Sequence, residues 1–184
     1  MGRLGEQLRA GAWGLGRARA IAVAIASDKA AVKALVGELF GDDVELRKRA
    51  ADVTRRITEQ DAAPLERYAD ELAGLLESLP AEESRTRWHL GLVVPRVAHT
   101  QAQRQRAARV MLLLAEDESN VVRCSAVEGL GALALVEPSL RREAEDMVEA
   151  FLGPGRQGEG TTLAMKSRAR GVRKTLLKRY GESP

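Results

Sequence analysis

Aromatic residues and cysteine are scarce in this chain. Of its 184 residues only 3% are aromatic, and Cys124 is the single cysteine. A lone cysteine excludes an internal disulfide framework and suits a reducing compartment. With so few rings, a core must consist mainly of leucine, valine, alanine and isoleucine. Stacked helices bury such residues well, so these absences favour an all-helical protein.

Long apolar runs are also missing. Crossing a bilayer takes roughly 20 consecutive apolar residues, and the apolar run near the start of the chain covers only residues 21–26. This run also lacks the layout of a signal peptide. We therefore expect no membrane association and a cytoplasmic location.

The charge is unevenly distributed along the chain. Residues 1–30 carry 5 basic and 2 acidic side chains, and residues 154–184 carry 8 basic and 2 acidic ones. Acidic residues are in excess between these ends. Basic ends could attract a polyanion or simply keep the ends soluble.

Helical periodicity dominates from residue 31 onward. Val32, Leu35, Val36 and Leu39 have the i, i+3, i+4, i+7 spacing of one helix face, and similar runs recur within residues 65–79, 107–114 and 144–152. Strand-like alternation is nowhere sustained. The periodicity therefore predicts an all-α protein.

Two start signals help to place the helices. Thr100 and Gln103 have the spacing of a capping box, in which each side chain accepts a hydrogen bond from the backbone N–H of the other residue. Ser139 follows a proline and is predicted to cap a helix that begins near Leu140.

A repeat emerges when the helices are laid out in pairs. The second helix of each pair carries an anchor residue at position 50, 90, 126 or 169, with spacings of 40, 36 and 43 residues. This period is typical of two-helix units of HEAT or armadillo type. The sequence therefore predicts one domain over residues 1–184. It comprises an N-terminal helical segment, 1–30, and helix pairs at 31–60, 64–98, 101–136 and 139–180.

The second-helix pattern resembles that of HEAT-repeat proteins, and residues 122–131 (VRCSAVEGLG) are close to it. More narrowly, the chain is similar to small bacterial HEAT-repeat proteins whose function is not established. The matching residues are Leu39-Phe40 and residues 49–52, 87–90, 95–96 and 119–122. The resemblance implies a right-handed α–α superhelix, or solenoid, whose second helices line the concave surface.

The resemblance also implies an aspartate six residues before the arginine of each second helix. Asp117 meets this spacing for Arg123, but Ala81 and Gly41 stand at the equivalent places before Arg87 and Arg47. The pattern therefore does not predict an unbroken Asp–Arg ladder between repeats.

Candidates for chemistry are few. His89 and His99 are the only histidines, and neither has cysteine or carboxylate neighbours at metal-ligand spacing. We expect no catalytic residue, metal or cofactor. HEAT-like DNA glycosylases use aromatic residues and an aspartate in the concave groove, but Leu92 stands one turn after Trp88 here. A relative of these repair enzymes is therefore the least favoured alternative.

The remaining reading is a non-catalytic scaffold that binds a protein partner through its concave surface. Its candidate contact residues lie on the second helices: Arg47, Arg87, His89, Arg96 and Arg123. The alternative is a nucleic-acid-binding module, because basic residues recur on the second helices and are densest on the last. Its polyanion-binding candidates are Lys166, Arg170, Arg173 and Lys174. The sequence indicates neither the partner's identity nor an oligomeric state.

Overall fold

A computed structural model describes residues 3–153 and 162–181, and every regular element in these two ranges is helical. The prediction of an all-α protein is therefore confirmed. The α-helices are α1 (Arg3–Arg9), α2 (Leu15–Ile25), α3 (Lys29–Leu39), α4 (Val44–Gln60), α5 (Ala69–Ser78), α6 (Ser84–Val97), α7 (Gln101–Leu114), α8 (Asn120–Val136), α9 (Arg141–Leu152) and α10 (Leu163–Tyr180). Short 3₁₀ helices at Ala63–Tyr68, Ala81–Glu83 and Pro138–Leu140 precede α5, α6 and α9.

The even-numbered helices pack against one another in chain order. Helix α4 contacts α2 and α6, and α8 contacts α6 and α10. Each of α4, α6, α8 and α10 also contacts the odd-numbered helix before it. We call the odd-numbered helices first helices and the even-numbered ones second helices. Helices α4 to α10 lie within the residue ranges predicted for the four pairs, whereas α3 begins at Lys29, two residues before the first range.

Local capping explains several helix starts. The Asp43 side chain accepts a hydrogen bond from the Leu46 amide at the start of α4, at 3.0 Å. The capping box of Thr100 and Gln103 is present at the start of α7, as predicted. The prediction for Ser139 is wrong, because this residue lies in a 3₁₀ helix and its hydroxyl donates to Glu137. Helix α9 instead follows Leu140 without a side-chain cap.

The second helices approach one another closely. The four repeat anchors, at positions 50, 90, 126 and 169, are completely buried. A methyl group on Gly129 would lie 2.7 Å from Cγ of Pro95, and one on Gly131 would lie 2.4 Å from Cγ1 of Val172. Only small residues allow α6, α8 and α10 to pack at this distance. The core is thus aliphatic, as the scarcity of aromatic residues implied.

No helix in the described part of the chain is long and apolar enough to span a membrane.

Candidate binding surface

Two of the predicted contact arginines form ion pairs between successive helix pairs. Arg47 on α4 pairs with Glu83, just before α6, and its guanidinium is largely buried. Nη1 of Arg87 on α6 lies 2.8 Å from Oδ2 of Asp117, just before α8. Asp117 is the more deeply buried partner, with 1% of its side chain exposed.

A third, more exposed ion pair joins Arg9 of α1 to Asp43, at 3.1 Å. We call the pairs Arg9–Asp43, Arg47–Glu83 and Arg87–Asp117 the ion-pair ladder. The sequence pattern missed two of its acids, because Asp43 and Glu83 lie four rather than six residues before Arg47 and Arg87, the arginines to which the pattern was applied. The informative signal is instead an acid close to the start of a second helix. Such an acid meets the arginine of the preceding pair.

Arginines near the starts of second helices also hold the ends of first helices. Nε of Arg47 donates to the carbonyl of Leu39 at 3.1 Å, and Nε of Arg123 donates to that of Ala115 at 3.2 Å. Nη2 of Arg17 likewise donates to the carbonyl of Gln7. Helix ends leave carbonyls without intrahelical partners, so these bonds satisfy groups that need one. Arg47, Arg87 and Arg123 thus make contacts within the chain, and their role toward a partner stays a prediction.

His89 is buried, with 5% of its surface exposed. Its ring stacks on Trp88 at a centroid distance of 4.5 Å. The pKa of His89 is lowered to about 4, mainly by burial; Asp52 opposes this shift, and Arg55, Arg56 and Arg85 contribute to it. Nδ1 of His89 is buried without a hydrogen-bond partner among the described residues. The imidazole is therefore neutral at physiological pH.

Asp52 is the centre of a polar cluster beside His89. Its carboxylate accepts hydrogen bonds from Nε1 of Trp13 at 3.2 Å, from Nη2 of Arg55 at 3.4 Å and from Nε of Arg56 at 3.2 Å. Both arginines also pair with Glu59, at 2.7 and 3.1 Å. The sequence analysis included Asp52 in a segment that resembles HEAT-repeat proteins but gave it no role, because one of its three donors is Trp13, in the distant linker between α1 and α2.

Both tryptophans lie at this cluster. The guanidinium of Arg55 lies 5.3 Å from the ring centroid of Trp88, within cation–π range. Trp13 is covered by Arg49 in the same way, at 5.4 Å. Because Asp52 is already matched by two arginines, it is poorly suited to act as a general base.

One row of residues along α6 lies beside this cluster, with two exposed ends, a half-buried tryptophan and a buried leucine. It consists of Arg85, Trp88, Leu92 and Arg96, spaced so that all four share a helix face. We call this row the α6 stripe. Arg85 and Arg96 are exposed, and neither forms an ion pair with any residue that the structure describes. Arg96 makes one long hydrogen bond, from Nη1 to Oγ1 of Thr58 at 3.4 Å.

The second-helix surface continues from α6 to α8 and α10. Arg168 of α10 pairs with Glu128 of α8 at 2.6 Å. Small side chains line a shallow groove between these two helices: Gly131, Ala132, Ala164, Ser167 and Gly171. We call it the α8–α10 groove. Cys124 is half-buried on α8, and burial raises the pKa of its thiol. This fits a packing residue rather than a reactive one.

The predicted polyanion residues share another face of α10. Lys166, Arg170, Arg173 and Lys174 follow helical spacing, and the helix sequence contains 7 basic and no acidic residues. Within the described residues, a long ion pair of 3.6 Å between Arg173 and Glu149, together with the Arg168–Glu128 pair, offsets part of this charge. Arg170, Arg173 and Lys174 are exposed, and Lys166 is half-buried.

No group of three or more histidine, cysteine, aspartate or glutamate residues in the described ranges could hold a metal ion. No family model, curated protein or solved structure matches this chain. The likeness to HEAT-repeat proteins therefore remains a resemblance of the sequence pattern.

Proposed function

We propose that this protein is a HEAT-like solenoid scaffold that binds a protein partner through the surface of its second helices. The sequence-ordered packing of α2, α4, α6, α8 and α10 supports the proposal, because such stacking leaves one extended surface available to a partner. A right-handed superhelix with this surface on its concave side completes the proposal.

The observation that carries the proposal is the α6 stripe. Arginine and tryptophan are the residues most enriched in energetically important positions of protein interfaces. Here Trp88 lies between two exposed arginines that form no ion pair with the described part of the chain. Arg85 and Trp88 thus join Arg96 as candidate contacts. The other candidates lie beneath or beside this surface, where they contact other parts of the same chain: Arg47, Arg87, His89 and Arg123.

A non-catalytic role is part of the proposal. The carboxylate nearest to the two tryptophans, Asp52, accepts three hydrogen bonds from Trp13, Arg55 and Arg56. The negative charge of this carboxylate is therefore balanced by the two arginines. A glycosylase would instead need a free carboxylate and a pocket for the extruded base.

Site-specific photo-crosslinking in an extract of the source cells tests the proposal. A photoreactive amino acid at Ala132, exposed on second helix α8, should form adducts with a protein partner. The matched control is Ala102, exposed on first helix α7. Protein adducts at Ala132 that survive nuclease treatment are expected. Equal adducts at both positions, or adducts at Ala102 alone, would refute a partner on the second helices.

Nucleic-acid binding is the second candidate function, favoured by the basic face of α10. Phosphate binding through Lys166, Arg170, Arg173 and Lys174 would be electrostatic and independent of base sequence. It ranks second because Arg173 and Arg168 already lie against carboxylates of α9 and α8. Adducts at Ala132 that disappear with nuclease would favour this alternative.

A further inference from the structure

We propose that the α6 stripe binds an acidic segment of the partner protein, with one carboxylate at Arg85, another at Arg96, and an apolar side chain between them against Trp88 and Leu92. This inference rests on the proposed function and specifies the chemistry of the partner.

The first argument is the state of the two arginines. Among the described residues, Arg85 and Arg96 form no ion pair, whereas Arg55 and Arg56 on the neighbouring helix α4 are both paired. Burial lowers the pKa of Arg96, and Arg55 lowers it further, while Glu59 and Glu128 act in the opposite direction. A partly desolvated guanidinium without a carboxylate gains more from an incoming acid than a fully hydrated one does.

The second argument is the apolar surface between the arginines. Trp88 is half-buried and held on two sides, by the ring of His89 at 4.5 Å and by the guanidinium of Arg55 at 5.3 Å. Leu92 lies one turn further along and is 9% exposed. A fixed indole loses little freedom when a partner packs on it, which favours binding.

The third argument separates an acidic peptide from a polyphosphate. Two partly exposed carboxylates, those of Glu59 and Glu128, act on Arg96 of the α6 stripe and oppose the lowering of its pKa by burial. They interrupt the positive potential that a phosphate backbone would follow. Two single acidic side chains need only Arg85 and Arg96, whereas a nucleic acid carries a charge at every phosphate and needs a continuous positive surface, so an acidic peptide fits better than nucleic acid.

The spacing of the arginines sets the spacing of the acids. Eleven residues separate Arg85 from Arg96, a distance of about 16 Å along a helix at about 1.5 Å per residue. An extended peptide covers the same distance in about five residues at about 3.3 Å each. Because alternate side chains of an extended chain point to opposite sides, two acids on one side lie an even number of positions apart, about four or six, with a leucine or another apolar residue between them.

The test is fluorescence anisotropy with a labelled peptide of this design. The probe has two glutamates about six positions apart, so that both lie on one side of an extended peptide, with leucine and alanine between them. Its comparison peptide has glutamine at both acidic positions. The wild-type protein should bind the acidic peptide at least about tenfold more tightly than the glutamine peptide, because charge-assisted hydrogen bonds are lost in the latter.

A matched pair of double variants locates the site. Arg85→Gln with Arg96→Gln should weaken binding of the acidic peptide at least about tenfold. The control, Arg170→Gln with Lys174→Gln, removes the same charge from exposed residues of α10 and should change affinity less than about twofold. Circular dichroism should show both variants folded, because none of the four side chains forms an ion pair within the described chain.

Three results would overturn the inference. The first is equal binding of the two peptides, and the second is equal loss of affinity in the two double variants. The third is tighter binding of a short DNA duplex that depends on Arg85 and Arg96, which would assign the stripe to nucleic acid. If protein adducts at Ala132 persist while the acidic peptide does not bind, the partner site stands and only its acidic chemistry is wrong.

Discussion

At the scale of single residues, His89 links stability to pH. The groups that face it are Asp52, Arg55 and Arg56 of α4, with Arg85 and Trp88 of its own helix. Its pKa falls from 6.5 to about 4 in the folded chain, so the unfolded chain binds the proton more readily. Stability is therefore fully present above pH 6.5 and is lost as the pH falls toward about 4.

We expect the wild-type protein to lose about 2 kcal/mol of unfolding free energy through His89 between about pH 7 and pH 5. Urea denaturation at the two pH values measures this loss. His89→Leu should remove most of that pH dependence even where it alters stability itself. His99→Gln, on an exposed histidine, should leave the dependence intact. An equal pH dependence in wild type and His89→Leu would contradict the assignment.

The ion-pair ladder gives a second prediction for single residues. Arg87→Met leaves Asp117, 1% exposed, as a buried charge without its partner and should cost about 3 kcal/mol. Adding Asp117→Asn should recover part of that loss, since asparagine can still accept the 2.7 Å bond from the Ser119 amide. Arg9→Met, at the ladder's exposed pair, should cost less than about 1 kcal/mol. Chemical denaturation checks all three, and similar costs at Arg9 and Arg87 would show that burial does not set the strength of the ladder.

Sequence reasoning located the arginines but not what they do. Arg47, Arg87 and Arg123 are regularly spaced, so the repeat made them visible. Their partners are Asp117, which has the expected spacing, Glu83, which does not, and a main-chain carbonyl at Ala115. Every residue has a main-chain carbonyl, so the sequence cannot show which one accepts the bond. Periodicity therefore identifies a recurring arginine without showing whether it faces a partner or its own chain.

At the scale of whole helices, the repeat register identifies which face is buried. Ala126 is completely buried on α8, whereas Ala132 on the same helix is exposed. Ala126→Glu would place a charge where the second helices leave no room for it, at an expected cost of about 4 kcal/mol or more. Ala132→Glu should change stability by less than about 0.5 kcal/mol. Thermal unfolding followed by circular dichroism compares the two, and an unchanged melting temperature for Ala126→Glu would place the buried face elsewhere.

Helix boundaries were predictable where side-chain chemistry marks them. Thr100 and Gln103 mark the start of α7 in the sequence, because both halves of the capping box are formed by side chains. The prediction that Ser139 caps a helix was wrong because a proline followed by a serine also suits the 3₁₀ helix that forms there. Helix α9 begins after that turn with no side-chain cap, so no residue type could mark its start.

At the scale of the whole molecule, the second helices present two surfaces of different charge. The α6 stripe lies beside paired acids and bases, whereas α10 carries 7 basic residues and no acid within its own sequence. Counts of basic and acidic residues in the sequence identified α10 as the helix with the highest density of positive charge. They could not show that Arg168 and Arg173 lie against Glu128 and Glu149, because these contacts join helices far apart in the chain.

The basic face of α10 permits a direct test of the ranking between the two functions. Four cations on about 12 Å of helix can neutralise about four phosphates. In a plot of the logarithm of the binding constant for duplex DNA against the logarithm of the salt concentration, we therefore expect a slope between about −3 and −4. Binding detected at low salt should therefore be lost at physiological ionic strength. Reversing Arg170, Arg173 and Lys174 to glutamate should abolish the low-salt binding for every sequence tested, since phosphate contacts carry no base information.

The control for this triple variant reverses Lys33, Arg109 and Arg142, which are exposed on first helices, and so matches its change in net charge. It should retain most of the low-salt binding if the site is local to α10. Protein adducts at Ala132 should persist in both triple variants, because the proposed partner surface is centred on α6 rather than on the exposed face of α10. Salt-resistant DNA binding that only the α10 variant loses, together with loss of those adducts, would place nucleic-acid binding first.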